Sequence, residues 1–328
     1  MKDFQIGIIG AGQLGSRHLQ ALAFIDRPVS IQVVDPMKNS LEIAKQRFNE
    51  VNENTKVKEI KFLEKIADMN SNLDCVIIAT TANIRRKVIE DLLSHKTVKS
   101  LILEKVLFQR IEDFSIVDRL FKEQNIKTWI NFPRRIWSIY KKIGVILEKE
   151  TLLNFQVNGS NWDLGCNGLH FLDLFAYLIK SSKITLTSNL LDNEIKLSKR
   201  EGFSEFTGSI LGQGDKNQLF SISSHSKGNN PIIIDINSSE SSIIVNERTG
   251  IALFANQATE WKWKEESFTI PYQSQLTHLI VQQILDKNRC DLTSYEDAWN
   301  IHIPFIKLLL NHLEKNNELK EPNLCPIT

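Results

Sequence analysis

A short apolar stretch that runs into closely spaced glycines constrains this chain most. Residues 4–9 read Phe-Gln-Ile-Gly-Ile-Ile and are followed by Gly10, Gly12 and Gly15. This spacing fits the G-x-G-x-x-G pattern that joins a buried strand to a helix. The first glycine allows the tight turn, the second lets a pyrophosphate approach the backbone, and the third lets the helix pack on the strand. The pattern predicts a dinucleotide site.

The start of the following helix and the end of the second predicted strand complete the expected cofactor site. Gln13 and Leu14 lie in the first turn of that helix, whose free N–H groups favour phosphates. Asp35 ends a strand over residues 30–35, where a carboxylate accepts a hydrogen bond from the ribose 2′-hydroxyl and repels a 2′-phosphate. We therefore expect NAD rather than NADP. The alternative is that Asp35 is only a turn residue at the end of a strand.

Apolar strands alternate with amphipathic helices over the first 132 residues, which favours a doubly wound parallel sheet of the Rossmann type. The predicted strands are 4–9, 30–35, 58–62, 74–80, 100–105 and 127–132, and the predicted helices are 14–25, 39–50, 62–69, 84–94 and 111–124.

The pattern changes after Pro133. Consecutive strands with short polar connections predict an α+β domain with an open, mostly antiparallel sheet. We place a cofactor domain at residues 1–130 and a substrate and oligomerisation domain at 131–328. Because an open sheet leaves one face uncovered, we expect a homodimer or homotetramer formed through it. The predicted helices are 134–149, 168–180, 274–288 and 295–315, and the predicted strands are 152–159, 184–191, 203–212, 217–224, 231–237, 241–246, 250–255 and 261–270.

Polar residues follow the predicted strands at the edge where ligands bind in doubly wound sheets. Thr80, Thr81 and Asn83 follow the fourth strand and are expected to line the cofactor, although they could instead cap the next helix. Glu104 and Lys105 follow the fifth strand. A Glu-Lys pair is most often a solvated salt bridge, but here we assign Glu104 to the cofactor site, and the Lys105 ammonium would stabilise a developing alkoxide.

Two further groups are candidates for substrate contact. Asn131, Arg134 and Arg135 follow the last strand of the first half; adjacent arginines are commonly surface charges, but their fork geometry suits a carboxylate or phosphate. His170 and Asp173 are three residues apart and share a helix face. His170 is a candidate proton acceptor, although a lone histidine on a helix is more often structural.

Composition argues against several other classes of protein. Lys and Arg number 40 and Asp and Glu 39, so the near-neutral charge gives no support to a nucleic-acid or membrane-surface role. The four cysteines are widely spaced, which predicts neither a disulfide framework nor a zinc site and is typical of a cytoplasmic protein. No apolar run approaches the length of a membrane span, and Asp3 and Gln5 argue against a signal peptide.

These motifs, in this order, resemble the glucose–fructose oxidoreductase, inositol dehydrogenase and rhizopine-catabolism (Gfo/Idh/MocA) superfamily over nearly the whole chain. The segments that carry the resemblance are Gly10–His18, Ala79-Thr80, Glu104-Lys105, Asn131–Arg135 and His170–Asp173. The resemblance implies a two-domain NAD(P)-dependent oxidoreductase acting on a sugar, cyclitol or related polyol.

Two departures from the family pattern concern the catalytic residues. The resemblance implies, through the family's Glu-Lys-Pro motif, that Lys105 is the catalytic lysine; Val106 stands where the family has proline, so the local turn is expected to differ. The family's Asp-x-Gly-x-His motif matches Gly168 and His170 and places Cys166 where the aspartate stands. Lys105 and His170 would then handle the hydroxyl proton, unless Asp163 reaches in.

The stretch from Trp162 to His170 is similar to a subgroup found in bacterial surface-carbohydrate pathways. With Arg134 and Arg135 it favours an acidic or nucleotide-linked sugar, with Cys166, Asn167 and Asp173 among its contacts. One alternative is transient oxidation with elimination or hydrolysis and no net redox change. Another is an NAD-binding regulator without catalysis, which the replacement at Cys166 favours and the retention of the lysine and histidine disfavours.

Overall fold

The computed structural model describes residues 3–51 and 55–328, and backbone contacts divide them into two compact units. The first unit comprises the residues up to Phe108, Glu112–Pro133 and Pro271–Tyr295, and the second comprises Gln109–Ile111, Arg134–Ile270 and Glu296–Thr328. Residues 271–295, which the sequence boundary assigns to the second domain, therefore group with the first unit.

The first unit is built on the predicted alternation of strands and helices. Its elements up to residue 130 are β1 (Phe4–Ile9), α1 (Gln13–Leu22), β2 (Val29–Val34), α2 (Lys38–Asn49), β3 (Val57–Leu63), β4 (Asn72–Leu73), β5 (Cys75–Ile78), α3 (Ala82–His95), β6 (Thr97–Val98), β7 (Ser100–Leu103), α4 (Ile111–Glu123) and β8 (Lys127–Ile130).

Six parallel strands form the main sheet of this unit in the order β8-β7-β5-β1-β2-β3. The strands β5 and β7 are buried at every position, as expected for strands covered on both faces by helices. This arrangement confirms the Rossmann prediction and brings the carboxyl ends of β1, β2, β5 and β7 to one edge of the sheet.

The second unit contains a large open sheet. Its elements are α5 (Ser138–Ile146), β9 (Leu153–Ser160), α6 (Leu164–Ile179), β10 (Ile184–Leu191), β11 (Lys196–Leu197), β12 (Ser204–Glu205), β13 (Gly208–Gly214), β14 (Leu219–His225), β15 (Ile233–Ser238), β16 (Ser241–Asn246), β17 (Ile251–Asn256) and β18 (Lys264–Ser267).

Eight strands of this sheet follow the order β10-β13-β14-β9-β15-β16-β17-β18, and each neighbouring pair is antiparallel except the parallel pair β14 and β9. Burial alternates along β9, β14 and β16, so one face is buried. α6 contacts β14 and β9. The predicted α+β architecture is therefore confirmed.

Three elements close the chain: α7 (Thr277–Lys287), β19 (Thr293–Ser294) and α8 (Tyr295–Lys315). β19 adds an antiparallel edge strand to β8, and α7 contacts α1 and β5. The chain therefore returns to the first unit after it has completed the second sheet.

Several predicted elements are shorter or divided in the structure. The predicted helix over 62–69 is a 3₁₀ turn at Ile66–Asp68, and the predicted helix over 134–149 is a 3₁₀ turn at Pro133–Ile136 followed by α5. Trp137 is extended between the two, which interrupts the helix. The strand predicted over 261–270 is only β18, because Glu260 and Trp261 adopt left-handed backbone conformations before it.

The start of α6 differs most from the sequence prediction. The helix begins at Leu164, four residues before the predicted start, and includes Gly165 and Gly168. Glycine disfavours a helix interior, but a Cβ at Gly165 would lie 2.9 Å from Phe206 Cδ2, and one at Gly168 would lie 2.8 Å from Phe305 Cζ. Close packing therefore requires both glycines within the helix.

No helix in the described ranges, 3–51 and 55–328, is long and apolar enough to cross a membrane.

Candidate active site

The glycine turn between β1 and α1 is fixed by close backbone packing. Gly10 has a φ of +92°, in the region that favours glycine, and a Cβ on it would lie 3.1 Å from backbone atoms of Ala79 and Thr80. A Cβ on Gly15 would lie 1.7 Å from the Gly10 carbonyl oxygen. Gly10 and Gly15 are therefore required by the fold itself, as the pattern predicts for the first and third glycines.

Gly12 differs from the other two glycines. A Cβ at this position would have nothing within 4 Å, and its φ of −65° is open to any residue. The space in front of Gly12 therefore stays open, and no acidic residue lies in the first turn of α1. This open space beside a helix N-terminus fits the pyrophosphate of NAD, as do the exposed Gln13 and half-buried Leu14 in the first turn.

Asp35, directly after β2, is nearly buried and links the end of β2 to the glycine turn through a hydrogen bond. Its Oδ2 accepts a hydrogen bond from Ala11 N at 2.7 Å, and its Oδ1 accepts one from Met37 N at 2.9 Å. The turn role that the sequence left open is therefore present in the structure. An ionised carboxylate has about four acceptor positions, so a ribose hydroxyl can also bind here, and that contact stays a prediction.

The residues after β5 place a buried hydroxyl at the same edge of the sheet. Thr80 Oγ1 is buried and has no hydrogen-bond partner among the residues that the structure describes. Thr81 is the N-cap residue of α3, but its side chain makes no capping hydrogen bond, and Asn83 in the first turn is exposed. Helix capping therefore does not account for Thr81, and the Thr80 hydroxyl is a further group that fits a bound ligand.

Lys105 is half-buried just beyond the end of β7, and its peptide bond to Val106 is cis. The loop that follows it is held by Arg85 of α3, a buried side chain that sequence reasoning missed. Arg85 donates hydrogen bonds to the carbonyl oxygens of Val106, Leu107 and Thr80, the Leu107 contact being 2.9 Å. Arg85 thus joins the loops that follow β5 and β7.

Glu104 is buried and ionised beside Lys105. Its Oε1 accepts hydrogen bonds from His18 Nε2 at 2.9 Å and from Asn131 Nδ2 at 2.6 Å. Burial acts to raise the pKa of Glu104, but the His18 and Asn131 contacts and the nearby Lys105 charge lower it overall. Asn131 thus uses its amide group inside the first unit, and its contact with the substrate stays a prediction.

In the second unit, three predicted site residues follow one another on α6. Cys166, Asn167 and His170 are half-buried, and Cys166 and His170 lie one turn apart on one helix face. Asn167 Nδ2 donates a hydrogen bond to the Trp162 carbonyl oxygen at 2.8 Å. The Cys166 sulfhydryl and the His170 imidazole are therefore half-buried groups on a helix whose other residues are mostly buried.

A carboxylate that the sequence did not reveal lies at the start of this helix. Both Glu205 carboxylate oxygens lie 3.2 Å from Cys166 N, and the Glu205 side chain is buried. A Cβ at Gly165 would lie 3.0 Å from Glu205 Oε2, so the glycine leaves room for the carboxylate. Asp163, the other acid considered, instead accepts from Lys199 Nζ at 3.1 Å.

The two arginines after the last Rossmann strand bind carboxylates of this chain. Arg134 makes two 2.8 Å hydrogen bonds to Glu247, and its guanidinium lies 4.3 Å from the centre of the Phe171 ring. Arg135 binds the fully buried Asp173 through bonds of 2.6 and 3.0 Å. The bidentate geometry that suggested a substrate anion is therefore satisfied within the second unit.

In the described part of the chain, no group of three or more His, Cys, Asp or Glu side chains is placed to hold a metal ion.

Comparison with known proteins agrees with the geometry of the glycine turn. The model of the family described as "Oxidoreductase family, NAD-binding Rossmann fold" (GFO_IDH_MocA) matches residues 4–132. Residues 4–132 belong to the Gfo/Idh/MocA oxidoreductase family. The family that matches this segment is described as NAD-binding, and the segment contains the glycine turn, Asp35 and Lys105. No curated protein matches the sequence.

Solved structures share the fold of both units at low sequence identity. The scyllo-inositol dehydrogenase of Lactobacillus casei with NAD(H) and scyllo-inositol is 17% identical, with a TM-score of 0.67 over 96% of this chain and 98% of that chain. The UDP-N-acetylglucosamine 3-dehydrogenase GnnA of Acidithiobacillus ferrooxidans is 12% identical, with a TM-score of 0.69 over 94% and 97%. The transcriptional regulator Gal80p of Kluyveromyces lactis is 13% identical, with a TM-score of 0.70 over 96% and 93%.

Proposed function

We propose that this protein is an NAD-dependent oxidoreductase that transfers hydride between nicotinamide and a secondary alcohol or ketone of a sugar derivative. The observation that carries the proposal is the edge of the first sheet, where the open space at Gly12, the buried Thr80 hydroxyl and the Lys105 amine follow neighbouring strands. Ligands of doubly wound sheets bind at this edge.

Different residues have separate roles in the proposed reaction. The glycine turn and the first turn of α1 would hold the pyrophosphate, and Asp35 would accept from the adenosine ribose. NAD, when bound, supplies the hydride acceptor. Lys105 anchors the reacting oxygen and stabilises the negative charge that develops on it. His170 accepts or returns the hydroxyl proton, since a neutral imidazole is suited to proton exchange near neutral pH.

Contacts within the second unit and its structural relatives support a substrate class as part of this proposal. Because Arg134 and Arg135 already bind Glu247 and Asp173, an acidic sugar would have to displace a carboxylate of the protein. A nucleotide-linked sugar keeps support from the similarity to the UDP-N-acetylglucosamine dehydrogenase fold, and we propose a place in bacterial surface-carbohydrate synthesis. Specificity then depends on hydroxyl contacts near Cys166 and Asn167.

A cofactor and substrate screen tests the proposal. Purified protein is incubated with NAD⁺ or NADP⁺ and a panel of neutral, acidic and nucleotide-linked sugars and cyclitols, and reduced nicotinamide is followed by absorbance. We expect NAD⁺ reduction with at least one panel member and a preference for NAD⁺ over NADP⁺. The proposal fails if NADH binds but neither oxidation nor reduction is seen with any sugar or keto-sugar.

A regulator that binds NAD without catalysis is the second candidate, favoured by Cys166 in place of the acid and by the similarity to the Gal80p fold. Binding of NADH at micromolar concentration without turnover would support it. Tightly retained NAD together with conversion of a sugar, but without net NADH, would instead indicate transient oxidation.

We also propose that the open sheet of the second unit pairs with a second copy of the chain, giving a homodimer or homotetramer. The face opposite the buried one carries half-exposed apolar side chains, including Ile244 and Leu253. Analytical ultracentrifugation at micromolar concentration should show a dimer or tetramer, and a single monomeric species would contradict the proposal.

A further inference from the structure

Five side chains of the first unit, one of which is Glu104, form a closed ring of hydrogen bonds. His18 Nε2 and Asn131 Nδ2 both bind Glu104 Oε1, at 2.9 and 2.6 Å. His18 Nδ1 lies 2.8 Å from Thr277 Oγ1, and Gln273 Nε2 lies 2.9 Å from the same hydroxyl. Asn131 Nδ2 closes the ring by donating to Gln273 Oε1 at 3.0 Å.

The chemistry of these groups fixes the direction of every bond in the ring except the one between His18 Nδ1 and Thr277 Oγ1, which depends on the protonation of the imidazole. A carboxylate only accepts, so His18 Nε2 carries a hydrogen. In the neutral imidazole Nδ1 is then an acceptor, and the Thr277 hydroxyl donates to it. The Thr277 oxygen in turn accepts from Gln273, whose carbonyl accepts from Asn131. Each donor therefore has an acceptor, and both ends of the chain of bonds meet at Glu104 Oε1.

Four of the five side chains are buried and Gln273 is half-buried, and the ring joins parts of the chain that are far apart in sequence. His18, Glu104, Asn131 and Thr277 are all at most 5% exposed. His18 lies in α1, the helix whose first turn faces the open space at Gly12. Glu104 directly precedes Lys105. α1 therefore follows directly on the glycine turn and also carries the imidazole that binds Glu104, the residue before Lys105.

We propose that His18 is a positioning residue for Lys105: it holds the Glu104 carboxylate in one orientation and thereby sets where the lysine amine lies relative to the nicotinamide end of the cofactor. The inference rests on the proposed function, because it takes Lys105 to be the catalytic lysine. A displacement of about 1 Å in a reacting group can cost about 100-fold in rate. Disruption of the ring should therefore lower kcat measurably.

Two substitutions of His18 separate its two contacts. His18→Gln keeps an amide nitrogen near the Nε2 position and retains the donor to Glu104. His18→Asn keeps a polar group near Nδ1, which contacts Thr277, and loses the donor to Glu104. We expect His18→Asn to lower kcat about 10- to 100-fold with the Kd for NADH within about threefold, and His18→Gln to restore most of kcat. Equal losses in both variants would overturn the proposal.

Two isosteric threonine substitutions test the ring itself. Thr277→Val removes the hydroxyl that contacts His18 Nδ1, whereas Thr128→Val removes a buried hydroxyl of β8 that has no hydrogen-bond partner among the described residues. ¹⁵N NMR of the full-length protein without ligand should show His18 as the Nε2–H tautomer. We expect Thr277→Val to shift the His18 nitrogen signals and Thr128→Val to leave them unchanged. An Nδ1–H tautomer in the wild type would contradict the ring.

A final measurement separates failure of this inference from failure of the proposed function. Reductive ¹³C-methylation gives each lysine an NMR signal, and the Lys105 signal is the one that Lys105→Arg lacks. We expect His18→Asn to shift the Lys105 signal and His18→Gln to leave it close to its wild-type position, whether or not any sugar is turned over. If His18→Asn does not move the Lys105 signal, His18 does not position the lysine, even if the wild type oxidises a sugar.

Discussion

Replacing Gly12 by alanine tests the cofactor site without a steric conflict in the protein. The new methyl group has no atom within 4 Å, and the φ of −65° suits alanine. Alanine is a poorer N-cap residue than glycine but restricts the unfolded chain, so we expect the free energy of unfolding to change by at most about 1 kcal/mol. The methyl group nevertheless fills the space that a pyrophosphate would approach.

The expected loss is therefore in affinity for the cofactor. A hydrogen bond to a charged group contributes about 1.5–3 kcal/mol, so displacing the pyrophosphate from one backbone N–H should raise the Kd for NADH about 10- to 100-fold. Fluorescence titration with NADH measures the Kd, and urea unfolding measures stability.

Gly15→Ala is the matched comparison for this experiment. Its Cβ would lie 1.7 Å from the Gly10 carbonyl oxygen, a backbone atom that cannot rotate away, so we expect a loss of more than about 4 kcal/mol or no folded protein. If Gly12→Ala folds and binds NADH as tightly as the wild type, the glycine turn is not the pyrophosphate site and the reasoning is refuted.

Three further predictions concern carboxylates. Asp35→Ala should lower the free energy of unfolding by about 1–3 kcal/mol, since two backbone N–H groups lose their acceptor, and should narrow the preference for NADH over NADPH in paired titrations; an unchanged preference would contradict the ribose contact. The pKa of Glu104 is lowered by the fold, so its ionised form stabilises the native state above the ordinary glutamate pKa of 4.5. The difference in unfolding free energy between wild type and Glu104→Gln should therefore be largest at neutral pH and shrink as the pH falls below 4.5; a difference that grows in acid would refute the assignment. Glu205→Ala should cost about 1–3 kcal/mol in urea unfolding, because the Cys166 N–H at the start of α6 loses its acceptor, and an unchanged midpoint would show that water replaces the carboxylate.

The first half of the fold could be predicted from sequence because β1, β5 and β7 are mostly apolar and are followed within two positions by a glycine or a polar residue. β1 has the predicted bounds, and the last helix, α8, was also predicted at its observed limits. The start of α6 could not be predicted, since Gly165 and Gly168 disfavour a helix locally and only packing against Phe206 and Phe305 explains them.

The site could be predicted only where residues close together in the sequence form a recognisable motif. The spacing of the glycines showed where a ligand could approach, but the partners of the arginines did not follow from spacing. Glu247 lies 113 residues after Arg134, and Thr277 lies 259 residues after His18. Such pairs form through tertiary structure alone, so a charge that seemed available for substrate in the sequence is occupied in the folded protein.

Turnover by Lys105→Met tests the central claim most directly, because methionine keeps an unbranched, flexible side chain of similar size and lacks the amine. With a sugar that the wild type oxidises, we expect kcat to fall by at least about 100-fold while the Kd for NADH stays within about threefold. Lys99→Met, the same change at an exposed lysine just before β7, should keep wild-type turnover. If Lys105→Met oxidises the sugar as fast as the wild type, the lysine is not the catalytic group and the proposed mechanism is wrong.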